Sequence, residues 1–337
     1  MEEIGSVVKG ELFAIPLEDN CLLPFLNGAI RGSGEVSMLR SGYEVSFVHA
    51  DKRFIDLLSD VVYRLTGRES AIEKAHIDGE DRYVLYVEND VTNDLVERCF
   101  IIKDRYTIIQ GIPDRLFGGK AQGISDEGDD KERMVSSAKR AFLRGLYLSC
   151  GVLRVPDDIS EWNQEKTKSG YMLAFNLNTD YVKEDVITII AQEAEVDRSS
   201  ILTRTRGNGV FVKNSQAICN LLAAIGSNIG VLQLYEIITN RKMKNDMNRM
   251  QNFEIANIDK TVRSSSKQVA AIRVIDKKMG IKNLPEGLRK VCELRLANEE
   301  AGLEEIAKMF SPPVSKSCVN HRMRRIMQLA AEGLDSK

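Results

Sequence analysis

Apolar and polar positions fall into the same order twice along this chain. Ser-Gly-Tyr-Glu-Val-Ser-Phe at 41 to 47 returns as Ser-Gly-Tyr-Met-Leu-Ala-Phe at 169 to 175. Each run is rich in β-branched and aromatic residues entered from a Ser-Gly turn, which predicts a strand. After each comes a stretch of helical periodicity, KRFIDLLSDVVYRL in the first half and KEDVITIIAQEA in the second. A short strand (DRYVLYVEN, NGVFVKN) and a second helix (VTNDLVERCFI, SQAICNLLAAIG) follow, so both halves read strand, helix, strand, helix.

Ahead of each first strand lies a nine-residue apolar segment, Leu26 to Gly34 and Leu143 to Gly151, with glycine at the third and ninth positions of both. Glycine inside a helix costs about 1 kcal/mol relative to alanine, so its recurrence at the third position predicts two helix backbones passing close together around a pseudo-twofold axis. The closing glycine fits a helix that ends in a tight turn. Between the halves, KAQGISDEGDDK at 120 to 131 reads as an acidic crossover without periodicity. Residues 231 to 280 have helical periodicity interspersed with Arg and Lys, predicting a long connecting helix or a helix pair.

The last fifty residues predict three helices. Pro285 suits the first turn of a helix through Leu296, with Leu288, Val291, Cys292 and Arg295 at helical spacing. A second helix from Leu303 to Phe310 stops at Ser311-Pro312-Pro313. A third starts near Ser315 or Ser317, either a good N-cap, and keeps Val319, Met323, Ile326 and Ala330 on one face. Its other face is polar and basic: Ser315, Lys316, Ser317, Asn320, His321, Arg324 and Arg325, with Arg322 at the flank. That is the layout of a recognition helix whose early residues read base edges while arginines hold phosphates. The same residues also suit a solvated basic face on a three-helix bundle.

The segments at 26 to 34 and 143 to 151 resemble the LAGLIDADG motif of homing endonucleases. In that family the eighth position is an acid that binds the divalent metal activating water. Here Ser33 and Cys150 stand there, and the sixth position, acidic in the motif's name, holds Arg31 and Leu148. None of the four is a hard, charged oxygen ligand, so no nuclease activity and no metal are expected. The carboxyl-terminal segment is similar to the fourth region of bacterial sigma factors, where a Leu-Glu-Glu-Ile stretch likewise precedes the turn. More specifically, KRAFLRGLYLSCG, ANIDKTVRSSSKQVAAI and MFSPPVSKSCVNHRMRRI resemble the WhiA family of Gram-positive regulators, from Leu26 to about Leu334. What this resemblance implies is a transcription factor of cell division, chromosome segregation or sporulation, with the helix-turn-helix as its main DNA-binding element.

The fold class expected is therefore α+β: a two-repeat LAGLIDADG-like domain followed by an all-α helix-turn-helix domain. The domains expected are 1–230, with repeats at about 22–115 and 135–225, a basic helical linker at 231–280, and the helix-turn-helix at 281–337.

Composition is that of an ordinary globular protein, 43% hydrophobic and 28% charged. The net charge of −2 conceals an asymmetry: residues 1 to 200 carry 24 Lys and Arg against 36 Asp and Glu, and residues 201 to 337 carry 23 against 13. One end is thus suited to a polyanion and the other is not. The acidic amino terminus has no uninterrupted apolar core, so a cytoplasmic, nucleoid-associated protein is expected. Six dispersed cysteines and three histidines give no support for zinc, and no cofactor is expected.

The leading reading is a non-catalytic DNA-binding regulator whose partners are double-stranded DNA and RNA polymerase or another transcription factor. Two alternatives stay open. One is a protein-binding adaptor using the acidic platform. The other is a nuclease drawing its carboxylates from Glu35 or Asp157, just beyond the motifs.

Overall fold

The computed structural model describes residues 3–40, 42–77, 79–87, 89–103, 107–118, 129–156, 170–204 and 207–332. It comprises two compact units, Met1–Thr239 and Asn240–Lys337.

In the first unit, α1 (Ile4–Ala14) buries Ile4, Val8 and Leu12, one turn apart, and precedes the first repeat. That repeat runs α2 (Asp19–Ser33), β1 (Gly34–Leu39), β2 (Gly42–His49), α3 (Lys52–Thr66), β3 (Ala71–Ile77), β4 (Glu80–Val87) and α4 (Asn89–Arg98). The short strands β5 (Ile102–Lys103) and β6 (Thr107–Ile108) and a single turn, α5 (Arg115–Gly118), come next. The second repeat runs α6 (Asp129–Cys150), β7 (Gly151–Arg154), β8 (Met172–Asn176), α7 (Lys183–Glu193), β9 (Ile201–Thr203), β10 (Gly209–Val212) and α8 (Ser215–Ile225). Each repeat forms its own antiparallel sheet, ordered β1-β2-β4-β3 and β7-β8-β10-β9.

The α+β class and the repeated order match the sequence pattern, with six strands added, the four sheet edges and the pair β5-β6. The pattern predicts β2, β4, β8 and β10, which lie inside the sheets; β1, β3, β7 and β9 are the edges. An edge strand needs no continuous apolar face, and β3 shows it, with Ala71 to Lys74 all exposed. Ser41, Ser169 and the crossover residues 120–128 lie outside the described residues.

The centre of the unit is the pair α2 and α6. A Cβ on Gly28 would run into the carbonyl oxygen of Phe142, and one on Gly145 into that of Phe25, so each glycine admits the other helix's backbone. The ninth-position glycines act differently from the tight-turn expectation. Gly34 has φ −74°, open to any residue. Glycine is required there because a Cβ would meet Ile30 and Phe47, and at Gly151 because it would meet Tyr147. Both helices therefore run straight into a strand, and no tight turn separates them.

A single helix, α9 (Asn228–Met279), follows the second repeat. Its amino terminus is capped by the Glu11 carboxylate, which accepts from the backbone N–H groups of Ile229 and Gly230 and from the Ser227 hydroxyl. Burial raises the Glu11 pKa, but these donors outweigh it and hold the carboxyl below its usual value.

In the second unit, α9 residues 242–264 are exposed on every side, whereas Ser265, Gln268, Val269, Ile272 and Ile275 are buried. The last turns of α9 pack with α10 (Glu286–Ala297), α11 (Leu303–Lys308) and α12 (Lys316–Glu332) around Ile272, Ile275, Leu284, Val291, Cys292, Ile306, Val319, Met323 and Ile326.

Candidate nucleic-acid interface

Helix α12 is set by its buried side. Val319, Met323, Ile326 and Ala330 all sink into the core, four positions one turn apart. Ser315 is the N-cap, its Oγ accepting from Cys318 N–H at 3.2 Å. A turn of seven residues, 309–315, separates α12 from α11, longer than the three or four of the simplest helix-turn-helix. It is held where Val314 N–H donates to the Ala307 carbonyl at 3.1 Å.

With the buried side fixed, the 100° step of the helix places Ser317, His321 and Arg324 along the opposite line. All three are exposed, as are Lys316 and Arg325. Asn320 is half-buried at the boundary of the two faces. Among the described residues, Lys316, Asn320, His321 and Arg324 have no intramolecular partner to give up on binding. Arg325 lies 3.8 Å from Glu332, a weak exposed pair. Arg322 is different: it is half-buried, with its guanidinium 5.5 Å from the Phe310 ring centre, so it locks α12 against the turn. The sequence reading missed Gln328, which is exposed one turn beyond Arg324 on the same line. Four-residue spacing from Arg324 was the available signal.

Arg295, fully buried on α10, donates to the carbonyls of Ala301 at 2.5 Å and Asn298 at 3.3 Å. It is a structural cation that ties α10 to the turn before α11. The second unit carries 20 Lys and Arg against 12 Asp and Glu, and 10 of those basic residues lie on α9 between Asn240 and Met279.

The motif positions of the first unit are filled by packing groups. Arg31 is buried, and its Nη2 donates to the carbonyls of Ile109 at 3.1 Å, Gly111 at 3.2 Å and Phe100 at 3.4 Å. Burial lowers its pKa, with the Tyr181 hydroxyl and Asp185 opposing. Leu148 is in the core. Asn178 crosses from the second repeat to cap α2, donating Nδ2 to the carbonyls of Ile30 at 3.1 Å and Gly34 at 2.7 Å. The Ser33 hydroxyl, in the same place, has no hydrogen-bond partner among the described residues. Cys150 donates Sγ–H to Leu146 O at 3.3 Å, and burial pushes its thiol up to about 12, so it is a neutral thiol at pH 7. Glu35 is exposed on β1, and Asp157 lies outside the described residues. No group of three His, Cys, Asp or Glu able to hold a metal occurs among the described residues.

Strand alternation puts Tyr43, Val45 and Phe47 in the core, so Glu44 and Ser46 face outward, and the pairings add Glu35, Ser37, Tyr86, Glu73 and Arg82 to that side. With Glu80, two residues from Arg82 and bridged to it at 3.0 Å, four carboxylates against one guanidinium make the outer face of the first sheet unfavourable to phosphate.

Two family descriptions match the chain: WhiA LAGLIDADG-like domain over residues 23–91 and 139–244, and WhiA C-terminal HTH domain over 247–330. A Clostridium tetani (strain Massachusetts / E88) protein named "Probable cell division protein WhiA" is 36% identical over 344 residues, covering 97% of each chain. One of the same name from Clostridium novyi (strain NT) is 31% identical over 257 residues, covering 74% of this chain and 71% of that one. Full-length DUF199/WhiA from Thermatoga maritima has the same fold, with a TM-score of 0.52 at 22% identity over 96% of both chains. The class is thus a two-repeat LAGLIDADG-like domain followed by a helix-turn-helix domain. Within that class, the chain belongs to the WhiA family.

Proposed function

We propose that this protein is a non-catalytic, DNA-binding transcriptional regulator, in which α12 reads duplex DNA and the two-repeat domain positions it or recruits another protein. The observation that carries the reading is the line Ser317, His321, Arg324, exposed on a helix whose opposite side is locked in the core. Lys316 and Asn320 flank it without intramolecular partners among the described residues. Arginine pairs with guanine and asparagine with adenine by two hydrogen bonds, and Lys316 suits a phosphate. The resemblance to relatives named for cell division makes genes of division, chromosome segregation or sporulation its targets, with RNA polymerase or another transcription factor as a further partner and the nucleoid in the cytoplasm as its location.

The test is retention of the purified protein on random and genomic duplex pools at several salt concentrations, with magnesium present and products checked for cleavage. Sequence-selective, salt-sensitive retention without cut product is expected, because Ser33 and Cys150 stand where the nuclease motif has acids. Cut DNA would return the nuclease reading. A second reading, a protein-binding adaptor, is favoured by the acidic outer face of the first sheet, and absence of any retention would select it.

A further inference from the structure

A cavity of about 240 Å³ opens in the first unit, and its walls include Glu18, Cys21, Ser137, Arg140, Arg144 and Gly226. Arg144 is the second residue of the second motif segment and is only 7% exposed. Its guanidinium stands 5.9 Å from the Phe25 ring centre, but among the described residues it has neither an ion-pair partner nor a hydrogen-bond acceptor. Arginine stays charged inside proteins, and a buried charge without a counter-charge is costly. Burial accordingly pulls the Arg144 pKa down.

The neighbouring cation is already balanced. Arg140 donates Nε–H to Glu193 at 3.2 Å, and the Ser136 hydroxyl donates to the same carboxylate oxygen. Glu18 lies on the same walls, and among the described residues it makes no ion pair with Arg144.

The first repeat provides the comparison. Asn27 holds the position matching Arg144, is fully buried, and donates Nδ2 to the Cys99 carbonyl at 2.5 Å. That position is therefore closed by the protein's own backbone, whereas its counterpart carries a cation facing an open cavity. The first repeat fills the matching position without an arginine.

We infer that the cavity binds a small molecule bearing one oxyanion group, phosphate or carboxylate, with Arg144 as the residue that receives it. The guanidinium fork matches two oxygens of either group. The volume exceeds the roughly 150 Å³ that holds benzene and lies below the range of drug-sized ligands, which sets the size class. Glu18 on the wall limits the ligand to a single such group, since a polyanion would meet its carboxylate.

The experiment is a thermal unfolding titration of the full chain in which sodium phosphate or sodium acetate replaces sodium chloride at constant ionic strength. A saturating rise in Tm with phosphate alone assigns a phosphate group, with acetate alone a carboxylate group, and with both the oxyanion in general. Arg144→Met abolishes the rise, and Arg144→Lys weakens the apparent Kd about tenfold because it keeps the charge without the fork. Should Arg144→Met fail to fold, Ala224→Leu decides, since it fills the cavity from α8 and leaves Arg144 in place. Absence of saturation in the wild-type chain, or equal responses in wild type and Ala224→Leu, overturns the inference. Binding of DNA is read separately, so neither result depends on the other.

Discussion

Gly28 and Gly145 show how one missing methyl sets a domain's geometry. Each lies against the carbonyl oxygen of the facing helix, in a place where a Cβ does not fit. Alanine is the better helix former by about 1 kcal/mol, yet overpacking costs about 1–3 kcal/mol, and backbone cannot step aside as a side chain can. Gly28→Ala and Gly145→Ala are each expected to lower the urea unfolding free energy by about 2 kcal/mol. The buried thiols give a pH signature. Cys99 and Cys150 are both pushed from 9.0 up to about 12 by burial, so the folded chain holds these protons more tightly than the unfolded chain. Their contribution is fully present below pH 9 and is lost as pH rises from there toward 12. A series of urea curves from neutral pH upward should show a midpoint steady until pH 9 and falling beyond it. Iodoacetamide at pH 8 should leave Cys99 unlabelled until the chain unfolds.

Among the elements, α12 divides its residues between holding and reading. Ser315 holds the amino terminus, and Ser315→Ala should cost about 1 kcal/mol of stability in the second unit, measured by thermal unfolding. DNA affinity should change much less than in Arg324→Ala, because the cap affects the helix end and the arginine affects the contact. The strands follow a similar division. Central strands such as β2 alternate between core and surface and are legible from the sequence. Edge strands pair on one side only, and β3 buries no residue fully, so no apolar alternation marks it in the sequence. The Arg31 site was legible only in part: its departure from the motif is plain in the sequence, but its three carbonyl partners come from 69 to 80 residues away.

For the molecule as a whole, charge separates the two units. Met1–Thr239 carries 27 Lys and Arg against 37 Asp and Glu, while Asn240–Lys337 carries 20 against 12. Phosphate contact releases counterions, so DNA affinity should fall linearly in log–log form with salt. Lys316→Ala should reduce that slope by about one, for the phosphate contact removed, whereas Arg324→Ala should cost about 1–3 kcal/mol of affinity and relax sequence preference. Glu44→Lys, on the outer face of the first sheet, should leave the slope unchanged if α12 is the reader. A matching change there would move the interface to the sheet.

The sequence by itself determined the repeated order of elements, the close approach of two helices at Gly28 and Gly145, the replaced acids at Ser33 and Cys150, and the buried stripe of α12. Each of these is written locally, as a periodicity or as a residue type at a fixed spacing. Tertiary structure alone decided the edge strands, the true reason for glycine at positions 34 and 151, and the division of α9 into exposed and buried lengths. It also decided that Asn27 is closed over while Arg144 faces a cavity. The division of α9 and the contrast of Asn27 with Arg144 depend on which distant segment arrives against a residue, whereas the edge strands and the glycines at 34 and 151 depend on exact backbone placement against neighbours close in the chain, and neither periodicity nor composition encodes either.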